Sequence, residues 1–294
     1  MLAPAAYPDA LRDEVERYLT ELRFSGRTVR AAGLEEAMRY SLLAGGKRIR
    51  PVLALATADA VALPRERVLP LAAAIELIHT YSLIHDDLPA MDDDELRRGR
   101  PTLHVKHGED VAILAGDALY AEAFAHLLRA QEGEHARVLA AARELAEATG
   151  VDGMVGGQYL DIASEVDGPE ALRTVHELKT GRLIAASVGC VLLLAGMDEP
   201  ATMPYRRYAA ELGVLFQIVD DILDVTGTDD ALGKPQGSDE RHGKRTYVTE
   251  FGLDRARELA AECHATARRT LTQAAPDGAP ELEQITDFIL TRTT

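Results

Sequence analysis

Two aspartate clusters hold the residues most able to do chemistry together: Asp86, Asp87, Asp92, Asp93 and Asp94 in HDDLPAMDDDELRRGRPT, and Asp220, Asp221 and Asp224 in FQIVDDILDV. Both lie in otherwise apolar sequence, where burying carboxylates without partners is expensive. The missing partner is a cation. On a helix, Asp220 and Asp224 are one turn apart, about 40° around the axis, with Asp221 beside them and Gln217 one turn earlier on the same side. Pro89 should end or distort the first helix soon after Asp87, which lets Asp92 fold back toward Asp86. His79 stands two turns before Asp86, near the same stripe. Oxygen-only ligand sets of this kind suit Mg²⁺, which keeps waters and is shared with substrate phosphates rather than caged by protein. A single aspartate reads most simply as solvated surface charge. Two clusters on apolar helices, each with cations nearby, read differently.

Those cations stand in Gly45-Gly46-Lys47-Arg48-Ile49-Arg50-Pro51, Arg97-Arg98-Gly99-Arg100, Lys179-Thr180-Gly181 and Gly233-Lys234-Pro235. Arginine forks grip phosphate oxygens bidentately, and lysine acts as a movable point charge. The chain as a whole carries a formal net charge of −16, which excludes a broad nucleic-acid-binding face. Anion binding must be local, and a polyphosphate fits an acidic protein that gathers cations beside its metal ligands.

The positioning elements are helices. Apolar residues recur at three- and four-residue spacing, as in Leu11, Val15, Tyr18, Leu19 and Leu22, and strand-like alternation is nearly absent. Glycine and proline punctuate the pattern into roughly ten or more helices with short loops, and no low-complexity linker divides the 294 residues. The expectation is one all-α domain over residues 1–294. The uncharged stretch Leu183 to Met197 is too short for a bilayer span and reads as a buried core helix. Cys190 and Cys263 form no metal-ligand spacing, and Asp9, Arg12, Asp13, Glu14 and Glu16 stand where an export signal needs an apolar run. No membrane span and a cytoplasmic location are expected.

GGKRIRP, HDDLPAMDDDELRRGRPT, GGQYLD, ELKTGRLI and FQIVDDILDVTGT followed by GKPQGSD resemble, in order and spacing, the motif series of the trans-prenyltransferases, or trans-isoprenyl diphosphate synthases of the polyprenyl synthetase family. The likeness runs from about Gly45 to Tyr247 and is strongest to bacterial farnesyl diphosphate synthases. It implies an isoprenoid-synthase-type helical bundle with a deep central cavity, in which Asp86, Asp87, Asp92, Asp220, Asp221 and Asp224 bind Mg²⁺, three ions with substrate bound. Arg97, Lys179, Thr180, Gln217, Lys234 and Lys244 would contact the allylic diphosphate. Lys47, Arg50, His79 and Arg98 would receive isopentenyl diphosphate. The reaction implied is Mg²⁺-dependent head-to-tail condensation by carbocation chemistry, in a homodimer. Without the motif series, His79 would read as a core histidine.

In that family, the residues five and four positions before the first motif floor the chain pocket; here they are Tyr81 and Ser82. The bulky Tyr81 ring and the Leu88-Pro89-Ala90-Met91 expansion resemble enzymes making the C15 product, farnesyl diphosphate; the alternative is C20, geranylgeranyl diphosphate. Arg245 and Val248 depart from the family pattern, and the tail Thr291-Arg292-Thr293-Thr294 offers one basic residue. Gly156, Gly157 and Asp161 serve helix packing as readily as chemistry. Two rivals are a metal-dependent phosphohydrolase built on the His85-Asp86 pair and a catalytically silent subunit. The first lacks an upstream histidine, and the second would normally have lost an acidic motif.

Overall fold

Leu11, Val15 and Leu19, each one turn after the last, form the buried face of α1 (Asp9–Glu21) in the computed structural model, which describes residues 5–24, 32–163, 168–227 and 244–292. Tyr18 stands beside that stripe, half-buried, with its hydroxyl 3.0 Å from His126 Nε2. After α2 (Ala32–Leu42) come two helices whose residues are apolar nearly all round, α3 (Ile49–Ala60) and α4 (Leu69–Asp86). Such helices have no polar face to give to water and must sit at the centre. A two-stranded antiparallel ribbon, β1 (Leu96–Arg97) and β2 (Arg100–Pro101), follows α4.

The short α5 (Leu103–His107) leads into α6 (Glu109–Ala130), which packs along α4, and α7 (His135–Thr149) packs on α10 (Arg182–Ala195). Between them lie α8 (Met154–Ala163) and α9 (Gly168–His176), the latter running into α10 through a π turn at Glu177–Gly181. The long α11 (Glu199–Thr226) carries the second acidic motif, with Asp198 capping its start by accepting from Ala201 N at 3.0 Å. Three helices close the chain: α12 (Tyr247–Phe251), α13 (Leu253–Ala274) and α14 (Pro280–Thr291). The described residues thus form an all-α bundle with one short two-stranded ribbon.

Two stretches, Glu109–Ala130 and Gly168–Ala195, are long and apolar enough to cross a bilayer. Both lie against other helices, and Leu183, Ile184, Val188, Cys190, Val191 and Leu192 are buried between α3, α7 and α11. That is the core helix expected from the sequence.

One cation of GGKRIRP serves the fold. Arg48 is buried at the start of α3 with a left-handed backbone, and its guanidinium binds Glu76 at 2.5 Å, Glu16 at 2.6 Å and the Leu42 carbonyl at 2.6 Å. A buried charge needs this many partners to be tolerated. The result fixes the loop that presents Lys47 on one side and Arg50 on the other.

Candidate active site

A cavity of about 670 Å³ opens between the C-terminal end of α4, α8, the π turn and α11. Asp86 reaches it as the last residue of α4. The chain then reverses as Pro89 requires: Asp92 N donates to the Asp86 carbonyl at 2.8 Å, so Asp92 faces the same space. Asp220 and Asp224 enter from α11, one turn apart. The two acidic motifs therefore share one cavity, as the family resemblance implied.

The middle aspartate of each motif is tied up by the fold, Asp87 outside the cavity and Asp221 still lining it. Asp87 is 3% exposed, does not line the large cavity, and accepts from Arg97 Nε at 2.7 Å and Nη2 at 2.6 Å. It faces a small neighbouring space shared with Tyr40 and Arg97. Asp221 is 1% exposed; Gln217 Nε2 donates to its Oδ1 at 2.8 Å and Tyr247 N to its Oδ2 at 2.7 Å. Asp87 acts as a strut that holds Arg97, while Asp221 ties α11 to the start of α12 from within the cavity lining.

The outer aspartates carry side-chain cations. Lys244 Nζ lies 2.8 and 2.9 Å from the two oxygens of Asp92, and Arg292 Nη2 lies 3.1 Å from Asp220 Oδ1. Burial pushes the Asp86 carboxyl up to about 6, with the Asp92 charge adding to the rise and Lys179 opposing it. Among the described residues no three acidic, histidine or cysteine side chains form a ready-made cage for a metal. The donor set still fits Mg²⁺: all oxygen, spread over two walls, and incomplete without phosphate oxygens between them.

Cations surround these carboxylates. Arg50 Nη1 lies 3.3 Å from His79 Nε2, and burial together with Arg50 and Arg98 keeps His79 far below its ordinary range, so it is a neutral acceptor that orients Arg50. Phe216 is held between two guanidiniums, Arg50 at 5.7 Å and Arg292 at 4.2 Å from its centroid. The Nε atoms of both arginines are buried without a partner among the described residues. Buried donors of that kind await an anion. Arg98 donates to the Gly45 carbonyl and lines the cavity. Lys179 binds Asp161 at 2.6 Å, and Thr180 Oγ1 donates to Gln217 Oε1 at 2.9 Å.

Two expected residues sit apart from this assembly. Lys47 does not line the cavity; its ammonium lies 5.3 Å from the Phe288 ring centroid at the surface. Asp87 is turned away, as above. Lys234 lies outside the described residues. Tyr81 and Ser82 do line the cavity, Ser82 bonding back to its own helix at His79 O. The Tyr81 ring meets Tyr120 edge-on at 5.0 Å, and Tyr120 meets Phe124 at 5.4 Å, so Tyr81 is backed by a ladder of rings from α6. His85 is tied to the Ile113 carbonyl at 3.1 Å and packs on Gly116 of α6. This occupies His85 Nε2, one of the two ring nitrogens that a His85-Asp86 metal dyad could use.

The sequence singled out Arg292 only as the one basic residue of the tail, and gave no role to Phe216, Gln158 or His176. Gln158 and His176 line the cavity with buried amide atoms and a buried Nδ1 that have no partner among the described residues, and burial lowers His176 to about 4. Their signals were present but faint: Gln158 lies three residues before Asp161 in GGQYLD, and His176 three before Lys179.

The polyprenyl synthetase family model matches residues 31–277. The chain belongs to this family. As a polyprenyl synthetase it is an enzyme of the prenyltransferase type, a short-chain prenyl diphosphate synthase. It is 45% identical over 263 residues to the chloroplastic geranylgeranyl pyrophosphate synthase of Capsicum annuum, covering 88% of this chain and 71% of that one. The Catharanthus roseus enzyme of the same name is 43% identical over 263 residues, covering 88% of this chain and 74% of that one. Among solved structures, a Helicobacter pylori geranyltransferase complexed with magnesium and isoprenyl diphosphate superposes with a TM-score of 0.84 at 32% identity, covering 98% of each chain. A farnesyl/geranylfarnesyl diphosphate synthase from Zymomonas mobilis gives 0.83 at 33% identity, covering 96% of each chain.

Proposed function

We propose that this polyprenyl synthetase condenses isopentenyl diphosphate head-to-tail with an allylic diphosphate in a Mg²⁺-dependent reaction that ends at geranylgeranyl diphosphate. The observation that carries the reaction class is the single cavity walled by Asp86 and Asp92 on one side and Asp220 and Asp224 on the other. These four would hold the metal, which when bound neutralises diphosphate oxygens and stabilises the charge of the departing pyrophosphate. Asp87 would act one step back, by fixing Arg97, and Asp221 from within the cavity lining, by fixing Gln217.

The chain's own groups divide the remaining work. Arg97, Lys179 and Lys244 bind the allylic diphosphate. Arg50, oriented by His79, together with Arg98 and Arg292 receives isopentenyl diphosphate beside Phe216. Thr180 has committed its hydroxyl proton to Gln217 and so offers lone pairs to the cavity, the polarity an electron-poor allylic carbon needs. Met91, Leu96, Met154 and Leu223 supply apolar walls, which keep water from the cation while the homoallylic double bond attacks it. Loss of a proton to the departing pyrophosphate restores neutrality.

The choice of C20 reverses the chain length that Tyr81 suggested. It rests on the curated relatives at 43 to 45% identity named for geranylgeranyl diphosphate. The floor leaves room for both readings: Tyr81 blocks the α4 side, while Met154, Val155 and Ile162 extend an apolar wall along α8. Farnesyl diphosphate is the second reading, favoured by the Tyr81, Tyr120 and Phe124 ladder. Chromatography of the dephosphorylated products decides between them. If Tyr81 is the floor, Tyr81→Ala lengthens the product by at least one isoprene unit; an unchanged product distribution would free Tyr81 of that role.

A homodimer belongs to the proposal. Exposed Ile113, Leu114 and Leu128 on α6 leave apolar surface for a second copy. Sedimentation at micromolar concentration should give twice the chain mass; a monomer would remove this part. A cytoplasmic location is likewise proposed, and fractionation of the expressing cell would test it.

A further inference from the structure

The π turn at Glu177–Gly181 is gripped from both sides by the same device. On α8, Gly157 lets the backbones touch: a methyl at that position would stand 2.6 Å from Lys179 Cα and 2.8 Å from the Leu178 carbonyl carbon. One turn later on the same face, Asp161 Oδ2 binds Lys179 Nζ at 2.6 Å. On α11, Gly213 comes close to Gly181, where a methyl would stand 2.9 Å from Gly181 Cα. One turn later, Gln217 accepts from Thr180 Oγ1 at 2.9 Å.

Each flanking helix therefore offers a glycine for contact and, four residues on, a polar side chain that takes hold of a site residue. The distortion they enclose is a single π turn between α9 and α10, a geometry that occurs mostly where a helix must present groups it would otherwise point elsewhere. In a regular helix Lys179 and Thr180 would be about 100° apart around the axis. Here both line one cavity, each held by a different wall. The Thr180 side of the grip continues through Gln217 and Asp221 to Tyr247 N, so the turn is fixed to the second acidic motif as well.

We infer that Gly157 with Asp161, and Gly213 with Gln217, form a two-sided clamp that sets the π turn, and that Asp161 is the positioning residue for Lys179. An ammonium on a flexible stem of four carbons has many rotamers. Asp161 selects one, and places the charge in the cavity before substrate arrives. The inference rests on the proposed reading of Lys179 as a ligand of the allylic diphosphate. A merely structural ion pair would instead affect stability and both substrates alike.

The test is steady-state kinetics of the full chain, varying the allylic diphosphate at saturating isopentenyl diphosphate and then the reverse, for wild type, Asp161→Asn, Lys179→Ala and the double variant. Asparagine keeps the shape of Asp161 and removes its charge, so folding is preserved. Asp161→Asn should lower kcat/KM for the allylic substrate by roughly 10- to 100-fold, the scale of an ångström misplacement. KM for isopentenyl diphosphate should stay within about twofold of wild type, because the bond that Asp161 makes is to Lys179, a group of the allylic side. Adding Asp161→Asn to Lys179→Ala should cost nothing further, as expected for residues acting in series. Gly157→Ala should shift the allylic parameter in the same direction. An Asp161→Asn enzyme with unchanged allylic kinetics, with equal losses on both substrates, or with a loss that multiplies that of Lys179→Ala, would overturn the clamp alone. A wild-type protein that transfers no prenyl group, or a Lys179→Ala enzyme at full rate, would overturn the functional reading beneath it.

Discussion

Asp220→Ala is expected to lower turnover by roughly 10³-fold, the scale for losing a group that stabilises developing charge, while the circular dichroism of the helices stays unchanged. Asp220 is the outermost acid of the α11 wall, with its side chain 56% exposed, so little packing depends on it. Arg292 loses an ion pair but keeps the Phe216 carbonyl at 3.2 Å and the Phe216 ring. Asp86→Ala, on the opposite wall, should cost as much. The informative control is Asp93→Asn. Asp93 belongs to the same acidic run, yet it is exposed, lies outside the cavity and has a left-handed backbone that asparagine tolerates. Its turnover should stay within about threefold of wild type, as usual for a surface change with no partner in the site. If Asp93→Asn were as damaging as Asp220→Ala, the division into cavity-facing and peripheral acids would be wrong.

The second large effect is on pH. Burial raises Asp86 to about 6, so the carboxylate that should hold metal takes up a proton as pH falls through that value. Proton and metal then compete for one group. At limiting Mg²⁺, turnover should fall about tenfold for each pH unit below 6, and raising Mg²⁺ should move the acid limb to lower pH. The sign for folding is opposite. A carboxyl whose native pKa lies above its unfolded value of 3.8 stabilises the metal-free protein as pH falls through 6, and that contribution is lost as pH rises. Thermal unfolding of wild type minus that of Asp86→Asn isolates it, because His126 and His176, each lowered to about 4, act equally in both. An acid limb that ignores Mg²⁺ concentration would remove Asp86 from the metal set.

Much of this site was legible because helix geometry is periodic. The one-turn spacing of Asp220 and Asp224, the chain reversal at Pro89 and the apolar stripe of α1 follow from local rules, and the folded chain keeps all three. Local rules could not separate the middle aspartates from their neighbours. Asp87 and Asp221 have the same type and setting as Asp86 and Asp220, and only the partners brought by other elements, Arg97 on the ribbon and the Tyr247 amide at the start of α12, tie them into the fold. Arg48 was equally ambiguous beside Lys47 and Arg50: a cation among cations until Glu76 and Glu16 converge on it. Asp161 could be seen in GGQYLD, but its role depends on a π turn, which no spacing rule announces. Product length is furthest from the sequence, since Tyr81 is backed by Tyr120 and Phe124 on a different helix.

The central claim is that opposed acidic walls let pyrophosphate leave an allylic chain so that isopentenyl diphosphate can capture the cation. Incubating the protein with isopentenyl diphosphate, dimethylallyl or geranyl diphosphate and Mg²⁺, with mass spectrometry of all products, tests it most directly. The expected result is a prenyl diphosphate lengthened in five-carbon steps, one pyrophosphate released per step and no turnover once EDTA is added. Orthophosphate release with the allylic chain unextended, or elongation that persists in EDTA, would contradict it.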